Sequence, residues 1–256
     1  MGGALLEGWI EEDVAPIEIV EPHPGVALSK HAKAAKIPIH KDITEVSTRV
    51  SACVVALKPQ LLRKEAPRLK PIADSGALMI SIAAGTPIRA LARAWGNNAH
   101  IVRAMPNTPG AIGYGITALY APPKVNKRER ALADKLLGAL GETVWVGSEA
   151  MIDVATAVSG SGPAYVFLLV EALTAAGHDQ GLPHATAEQL ARATIIGAGA
   201  LLDADGRSAT ELRKEVTSPG GTTEAALKVL TRKAGMRALM ARAVAAANRR
   251  AKILGI

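Results

Sequence analysis

Residues 52–60 read Ala-Cys-Val-Val-Ala-Leu-Lys-Pro-Gln, an apolar run that stops at a lysine and a proline. A continuous apolar run of this length is typical of a parallel β-strand that helices cover on both faces, because neither face meets water. Similar runs recur up to Val146, and longer helix-like stretches separate them. The predicted strands are Ile17–Val20, Ala52–Leu57, Leu78–Ile82, His100–Met105, Ile116–Tyr120 and Thr143–Val146. This alternation predicts an α/β fold with an open parallel sheet.

The chain changes character after Val146, where Ala, Leu and Glu dominate and no further β-branched run of strand length follows. We therefore predict two domains, 1–147 and 148–256, the second all-helical with roughly five or six helices. The segment Ala164–Ala176 is apolar over most of a helical circumference. A helical domain of this size cannot bury such a helix on every side, so we expect a homodimer.

Composition excludes several classes of protein. The 256 residues are 49% hydrophobic and carry a formal charge of +7 without a block of like charges, which predicts a globular protein. Aromatic residues make up 3% of the chain, too few for base stacking, so we expect no nucleic-acid partner. The N-terminus lacks the pattern of an export signal and we find no membrane span, so we expect a cytoplasmic protein with no membrane partner.

Titratable side chains do not suggest a metal centre. The histidines lack zinc-ligand spacing, and the single cysteine, Cys53, lies inside an apolar run where a small buried side chain is common. Glu149 and Asp153 lie one helical turn apart, and we interpret them as an acidic helix start rather than a catalytic pair. We expect no metal ligands.

The loops after the predicted strands are the candidate ligand site, because ligands of open parallel sheets bind beyond the carboxyl ends of the strands. These loops hold small residues and prolines, which let a flat ligand approach the backbone, and Lys58 adds a positive charge. Ordinary turns are the alternative interpretation. The loops read Lys58-Pro59-Gln60, Ala83-Ala84-Gly85 and Pro106-Asn107-Thr108-Pro109.

A second candidate site is the segment Glu215–Leu227, in which two glycines precede a helix that opens on Thr and Glu. Free backbone N–H groups at such a helix start would bind a carboxylate or a phosphate. The hydroxyls of Ser218, Thr222 and Thr223 would add neutral donors. A helix cap with a tight turn remains the plain alternative.

Together these segments resemble the pyrroline-5-carboxylate reductase family, whose members reduce a cyclic imine to proline. The similarity extends over nearly the whole chain. It is carried, in order, by 56–60 (ALKPQ), 81–85 (SIAAG), 103–109 (RAMPNTP), 153–165 (DVATAVSGSGPAY) and 216–227 (VTSPGGTTEAAL).

The resemblance implies a Rossmann-like first domain, a helical dimerisation domain and, in some members, a ring of dimers. It implies an NADPH or NADH cofactor lined by Gly2, Leu57, Lys58, Pro59, Ala83, Ala84, Pro106 and Asn107. The imino acid substrate would be held by Ser218, Gly220, Gly221, Thr222 and Thr223. Thr223 is the candidate catalytic residue, which would contact the ring nitrogen.

Two departures from the family pattern affect these expectations. Glu21 ends the first predicted strand 19 residues after Gly2, where an acid would bind ribose hydroxyls and repel a 2′-phosphate, so we favour NADH over NADPH. Family members also begin with a strand and a complete glycine-rich turn, of which only Met1-Gly2 is present here. We therefore expect that the natural protein begins upstream of Met1.

Two other functions stay open at this point. In the first alternative, the chain is an inactive relative of the family that persists as a helical dimer. The absence of the first strand favours this alternative. Alternatively it is another reductase of the β-hydroxyacid dehydrogenase type. That class places a lysine on the first long helix of the second domain, and Ala164–Ala176 has none.

Overall fold

The structure is a computed structural model that describes residues 1–254, and its contacts divide the chain into two units. The sheet unit comprises Met1–Gly160 together with the chain from Ala247, and the helical unit comprises Ser161–Ala246. The contacts group the thirteen residues after Gly147, through Gly160, with the sheet unit. The domain boundary near Gly147 therefore stays a prediction.

The sheet unit contains every strand predicted from the sequence and one more. The strands are β1 (Ile19–Val20), β2 (Ile39–His40), β3 (Ala52–Val55), β4 (Leu78–Ser81), β5 (His100–Met105), β6 (Gly115–Tyr120) and β7 (Gly141–Trp145). β2 was not predicted, because a two-residue strand shows no periodicity in the sequence. β1 and β2 pair in parallel as a sheet of their own. The α/β fold class is confirmed.

The larger sheet has the order β3-β4-β5-β6-β7. All its pairs are parallel except β5 and β6, which are antiparallel, so the predicted parallel sheet is confirmed with one antiparallel pair. Only residues 106–114 connect these two strands, and parallel neighbours need a longer crossover, usually a helix.

Helices cover both faces of this sheet, as the continuous apolar runs predict. Every residue of β4 is buried. Met79 packs on one face with Leu62 and Leu91, while Ile80 packs on the other with Leu5 and Leu137. Each buried aliphatic side chain contributes about 1.5–3 kcal/mol of transfer free energy.

Local sequence sets the helix boundaries of the sheet unit. Asn126 and Glu129 form a reciprocal capping box at the start of one helix, which satisfies two N–H groups that would lack partners. The helices are α1 (Gly2–Glu11), α2 (Val26–Ala34), α3 (Pro59–Glu65), α4 (Lys70–Asp74), α5 (Ile88–Trp95), α6 (Lys127–Gly138) and α7 (Ala150–Ala155). A π-helical turn, Thr156–Gly160, follows α7.

The rest of the chain is helical, as predicted. Its helices are α8 (Gly162–Asp179), α9 (His184–Ala204), α10 (Ala209–Glu215), α11 (Thr222–Leu230) and α12 (Met236–Leu254). With α7 this makes six α-helices between Gly147 and Leu254. α8 and α9 pack along each other across a tight turn in which Gly181 has a φ of 101°.

α8 is apolar on several sides, and a single chain leaves much of it exposed. Phe167 is 63% and Leu168 62% exposed. By length and composition alone, the segment Ala150–Asp179 could also cross a membrane, a test that core helices of soluble proteins pass as well. The expected absence of a membrane span therefore stays a prediction.

Candidate active site

The loops after β3, β4 and β5 lie side by side at one edge of the sheet. Val55 is in register with Ser81, and Ser81 with Arg103, so these parallel strands end at nearly the same level. The edge therefore brings together Leu57, Lys58 and Pro59 after β3, Ala83 and Ala84 after β4, and Pro106 and Asn107 after β5.

The loop after β3 leads directly into a helix. Lys58 is the N-cap residue of α3 and is exposed, and Pro59 occupies the first helical turn. Proline suits this position because its nitrogen has no proton to leave unpaired. The positive charge of Lys58 therefore lies at the edge where the sequence predicts a ligand phosphate.

The loop after β4 is held tightly. The Ser81 hydroxyl accepts a bond from Ala83 N at 3.4 Å, and Ala83 is buried. Gly85 has a φ of 69°, and a Cβ there would lie 3.0 Å from Leu254 Cβ. The end of α12 thus fills the space beside this loop.

Asn107 lies in the loop after β5, and both polar atoms of its side-chain amide form hydrogen bonds within the protein. Its Oδ1 accepts a bond from Ile116 N at 3.0 Å, and its Nδ2 donates to Ser159 O at 3.2 Å. The neighbouring Gly160 would place a Cβ 3.0 Å from Met105 Cε. The π-helical turn therefore packs against this loop.

Gly2 lies near the same edge. It is the first residue of α1, and a Cβ on it would be 3.2 Å from the Cβ of Ala56, just beyond β3. No side chain caps α1, so its first N–H groups are open to a ligand. Glu21 follows β1, and its carboxylate accepts a bond from His23 N at 3.0 Å.

The second candidate site lies in the helical unit at the start of α11. Gly220 has a φ of 73°, which favours glycine, and Gly221 is an N-cap without a side-chain bond. The carboxylate of Glu224 accepts a bond from Gly220 N at 2.9 Å. Ser218 is exposed and its carbonyl accepts from Gly221 N, whereas Thr223 is half-buried. The first N–H groups of the helix, at Thr222 and Thr223, have no intrahelical partner.

Among the titratable groups of the sheet unit whose pKa values are clearly shifted are Cys53 and Asp42. Burial raises the pKa of the Cys53 thiol to about 11, so the thiol stays protonated and is a poor nucleophile. Near β2, a bond from Thr44 N, followed by the Arg68 guanidinium, lowers the pKa of Asp42 to about 2. Neither group touches the predicted ligand edge. Among residues 1–254 no cluster of metal-ligating side chains occurs.

The sequence analysis missed an ion-pair cluster formed by Arg103, Glu149 and Asp153. Arg103 on β5 pairs with Glu149 at 3.3 Å and with Asp153 at 2.7 Å. The interpretation of the two acids as a plain acidic helix start was incomplete, because it ignored this buried cation. The pairs connect residues 46 and 50 positions apart, which no local pattern reveals.

An α/β sheet whose loops collect at its carboxyl edge, followed by a helical unit, is the architecture of Rossmann-type proteins with a helical second domain. Residues 149–254 match the family described as pyrroline-5-carboxylate reductase dimerisation. The chain belongs to the pyrroline-5-carboxylate reductase family.

Relatives and solved structures of this family match almost end to end. The reductase of Pseudomonas aeruginosa is 38% identical over 251 residues, which is 98% of this chain and 92% of the relative. A structure of the Coxiella burnetii reductase superposes with a TM-score of 0.92 and 36% identity, covering 99% of this chain and 94% of the other. The Plasmodium falciparum enzyme with NADP bound gives a TM-score of 0.82 at 27% identity, covering 100% and 95%.

Proposed function

We propose that this protein reduces 1-pyrroline-5-carboxylate to L-proline with NAD(P)H, the last step of proline biosynthesis. The observation that carries the proposal is the 38% identity to the Pseudomonas aeruginosa reductase across 98% of the chain. The loops at the carboxyl edge and the helix start at Gly221 supply the two kinds of site that such a reaction needs.

The dinucleotide would lie along the carboxyl edge of β3, β4 and β5. The fit is supported by the close approach of Gly2 to Ala56, which brings the start of α1, where no side chain caps the first N–H groups, beside the end of β3. Lys58 would face a phosphate. When bound, the cofactor supplies a hydride. Glu21 would accept bonds from ribose hydroxyls and repel a 2′-phosphate, so NADH is the expected preference over NADPH.

The substrate carboxylate would bind at the start of α11. The N–H groups of Thr222 and Thr223 carry the positive end of the helix dipole, and Ser218, Gly220 and Gly221 shape the turn before it. Glu224 already bonds to Gly220 N, so its carboxylate limits where a second anion fits.

The Thr223 hydroxyl would contact the ring nitrogen. Hydride addition to the carbon of the protonated C=N bond gives a secondary amine, and a neutral hydroxyl can accept from the N–H without competing with the positive charge. Most of the catalysis would then come from positioning the imine carbon against the hydride donor.

The exposed apolar side chains of α8 and α9 support a homodimer through the helical unit, and such dimers would be the building block of any ring of dimers. A cytoplasmic location is the expected one for an enzyme whose single cysteine forms no disulfide within the chain.

The decisive assay incubates the protein with pyrroline-5-carboxylate and either NADH or NADPH, and measures nicotinamide absorbance together with proline formed. We expect one proline for each nicotinamide oxidised and a higher kcat/KM with NADH. Dinucleotide binding without proline formation would favour the inactive relative. Oxidation of β-hydroxyacids in place of imine reduction would favour the other reductase class.

A further inference from the structure

The Arg103 side chain is a buried cation close to the predicted cofactor edge. It lies on β5, is 4% exposed, and is neutralised by Glu149 and Asp153, which are 30% and 17% exposed. A guanidinium removed from water in this way is stable only when its partners hold a defined geometry. The cluster is therefore a rigid feature of the sheet unit.

Glu149 does more than pair with Arg103. The same Oε1 atom accepts a hydrogen bond from Ile88 N at 2.6 Å, and Ile88 is the first residue of α5. One carboxylate thus joins the interior of β5 to the start of the helix that follows β4. An ion pair alone would not need this second contact.

The two groups that Glu149 joins flank neighbouring loops of the predicted cofactor site. Ile88 ends the loop that holds Ala83 and Ala84, and Arg103 precedes the loop that holds Pro106 and Asn107. The position of Glu149 therefore fixes the spacing between these loops.

Resting on the proposed function, we propose that Arg103, Glu149 and Asp153 are positioning residues for the dinucleotide. They hold the loops after β4 and β5 at the separation that lets both contact the cofactor. They do not touch the cofactor themselves. Substitution of these residues should weaken dinucleotide binding more than it affects the start of α11, which would hold the substrate.

The test compares substitutions that remove different parts of the cluster. Glu149→Ala removes the bond to Ile88 and the charge, whereas Glu149→Gln keeps an oxygen for Ile88 N. Asp153→Asn removes one charge only. The matched control is Asp134→Asn, because Asp134 also accepts bonds from Thr143 and Trp145 within the sheet unit but contacts neither loop.

The readouts are the dissociation constant of NADH and NADPH, measured by titration calorimetry without substrate, and the melting temperature. We expect Glu149→Ala to raise the dissociation constant by about tenfold or more, and Glu149→Gln to restore most of the affinity. Asp134→Asn should lower the melting temperature and leave dinucleotide affinity unchanged.

Equal effects of Glu149→Ala and Asp134→Asn on dinucleotide affinity, or no effect of either, would overturn the positioning role. If Glu149→Ala does not fold, Asp153→Asn decides, because it removes one charge from the Arg103 cluster and keeps the bond from Ile88 N to Glu149. The positioning role predicts a raised dissociation constant of the dinucleotide in Asp153→Asn, and unchanged affinity in that variant overturns the role. Because the binding measurement needs no turnover, a wild-type protein that binds dinucleotide but makes no proline refutes the proposed function and leaves this inference to be judged by the titrations.

Discussion

The position of Thr223 in the structure adds to what its sequence motif predicts for this residue. The structure places it second in α11, half-buried, after a glycine N-cap. A hydroxyl at this point lies beside free backbone donors, which favours contact with a small anionic ligand. The sequence predicted this helix start correctly, since glycines followed by Thr and Glu are a local signal.

We predict that Thr223→Ala lowers kcat for pyrroline-5-carboxylate by about ten- to a hundredfold, the value of one hydrogen bond to a charged group. The dissociation constant of the dinucleotide should stay nearly unchanged, and Thr223→Ser should restore turnover. Steady-state kinetics and calorimetry check both. The control is Thr231→Ala, at the other end of α11, where the hydroxyl donates to Leu227 O. Unchanged kinetics in Thr223→Ala would remove its catalytic role.

At the scale of elements, the point where β6 and β7 begin to pair leaves no room for a side chain. Gly141 opens β7 with a φ of 122°, and a Cβ there would lie 2.3 Å from Gly115 O. Gly115 is the register partner of Gly141, so the strands begin to pair at a glycine contact. Only a residue without a Cβ fits both the backbone conformation and the spacing.

Gly141→Ala should therefore destabilise the protein by about 2–4 kcal/mol, because strain and a backbone clash act together. Chemical unfolding of the purified variant measures the change. Gly138→Ala is the comparison, since Gly138 lies in α6 with no atom within 4 Å of its added Cβ. That variant should gain up to about 1 kcal/mol through helix propensity. A Gly141→Ala protein as stable as the wild type would contradict the steric argument.

At the scale of the whole molecule, the helical unit exposes more apolar surface than a monomer usually tolerates. Phe167, Leu168 and Ile196 are each more than 60% exposed on α8 and α9. Burial of each such side chain contributes about 1.5–3 kcal/mol, which drives association of helices from two chains.

Light scattering at micromolar concentration should therefore give at least twice the chain mass of 26.5 kDa. Phe167→Asp should raise the dimer dissociation constant by about a hundredfold, because a charge would enter an apolar contact. Val26→Asp is the control, since Val26 is 88% exposed on α2 in the sheet unit. A wild-type monomer, or equal effects of both substitutions, would contradict the prediction.

The sequence by itself determined six of the seven strands in the described residues, the helical second part and the two motif-bearing segments. Local patterns predict these features: continuous apolar runs predict strands covered by helices, and glycines before Thr and Glu predict a helix start with free N–H groups. Local composition also predicted a small apolar role for Cys53, which is partly buried and packs against the core.

Only the tertiary structure decided how distant residues meet. It joined β5 and β6 as antiparallel neighbours, bound the Asn107 amide to Ser159, and surrounded Arg103 with two acids 46 and 50 positions away. The physical reason is that a buried charge or amide chooses partners by proximity in the folded chain, where the cost of leaving it unpaired is high. Sequence spacing carries no record of that proximity.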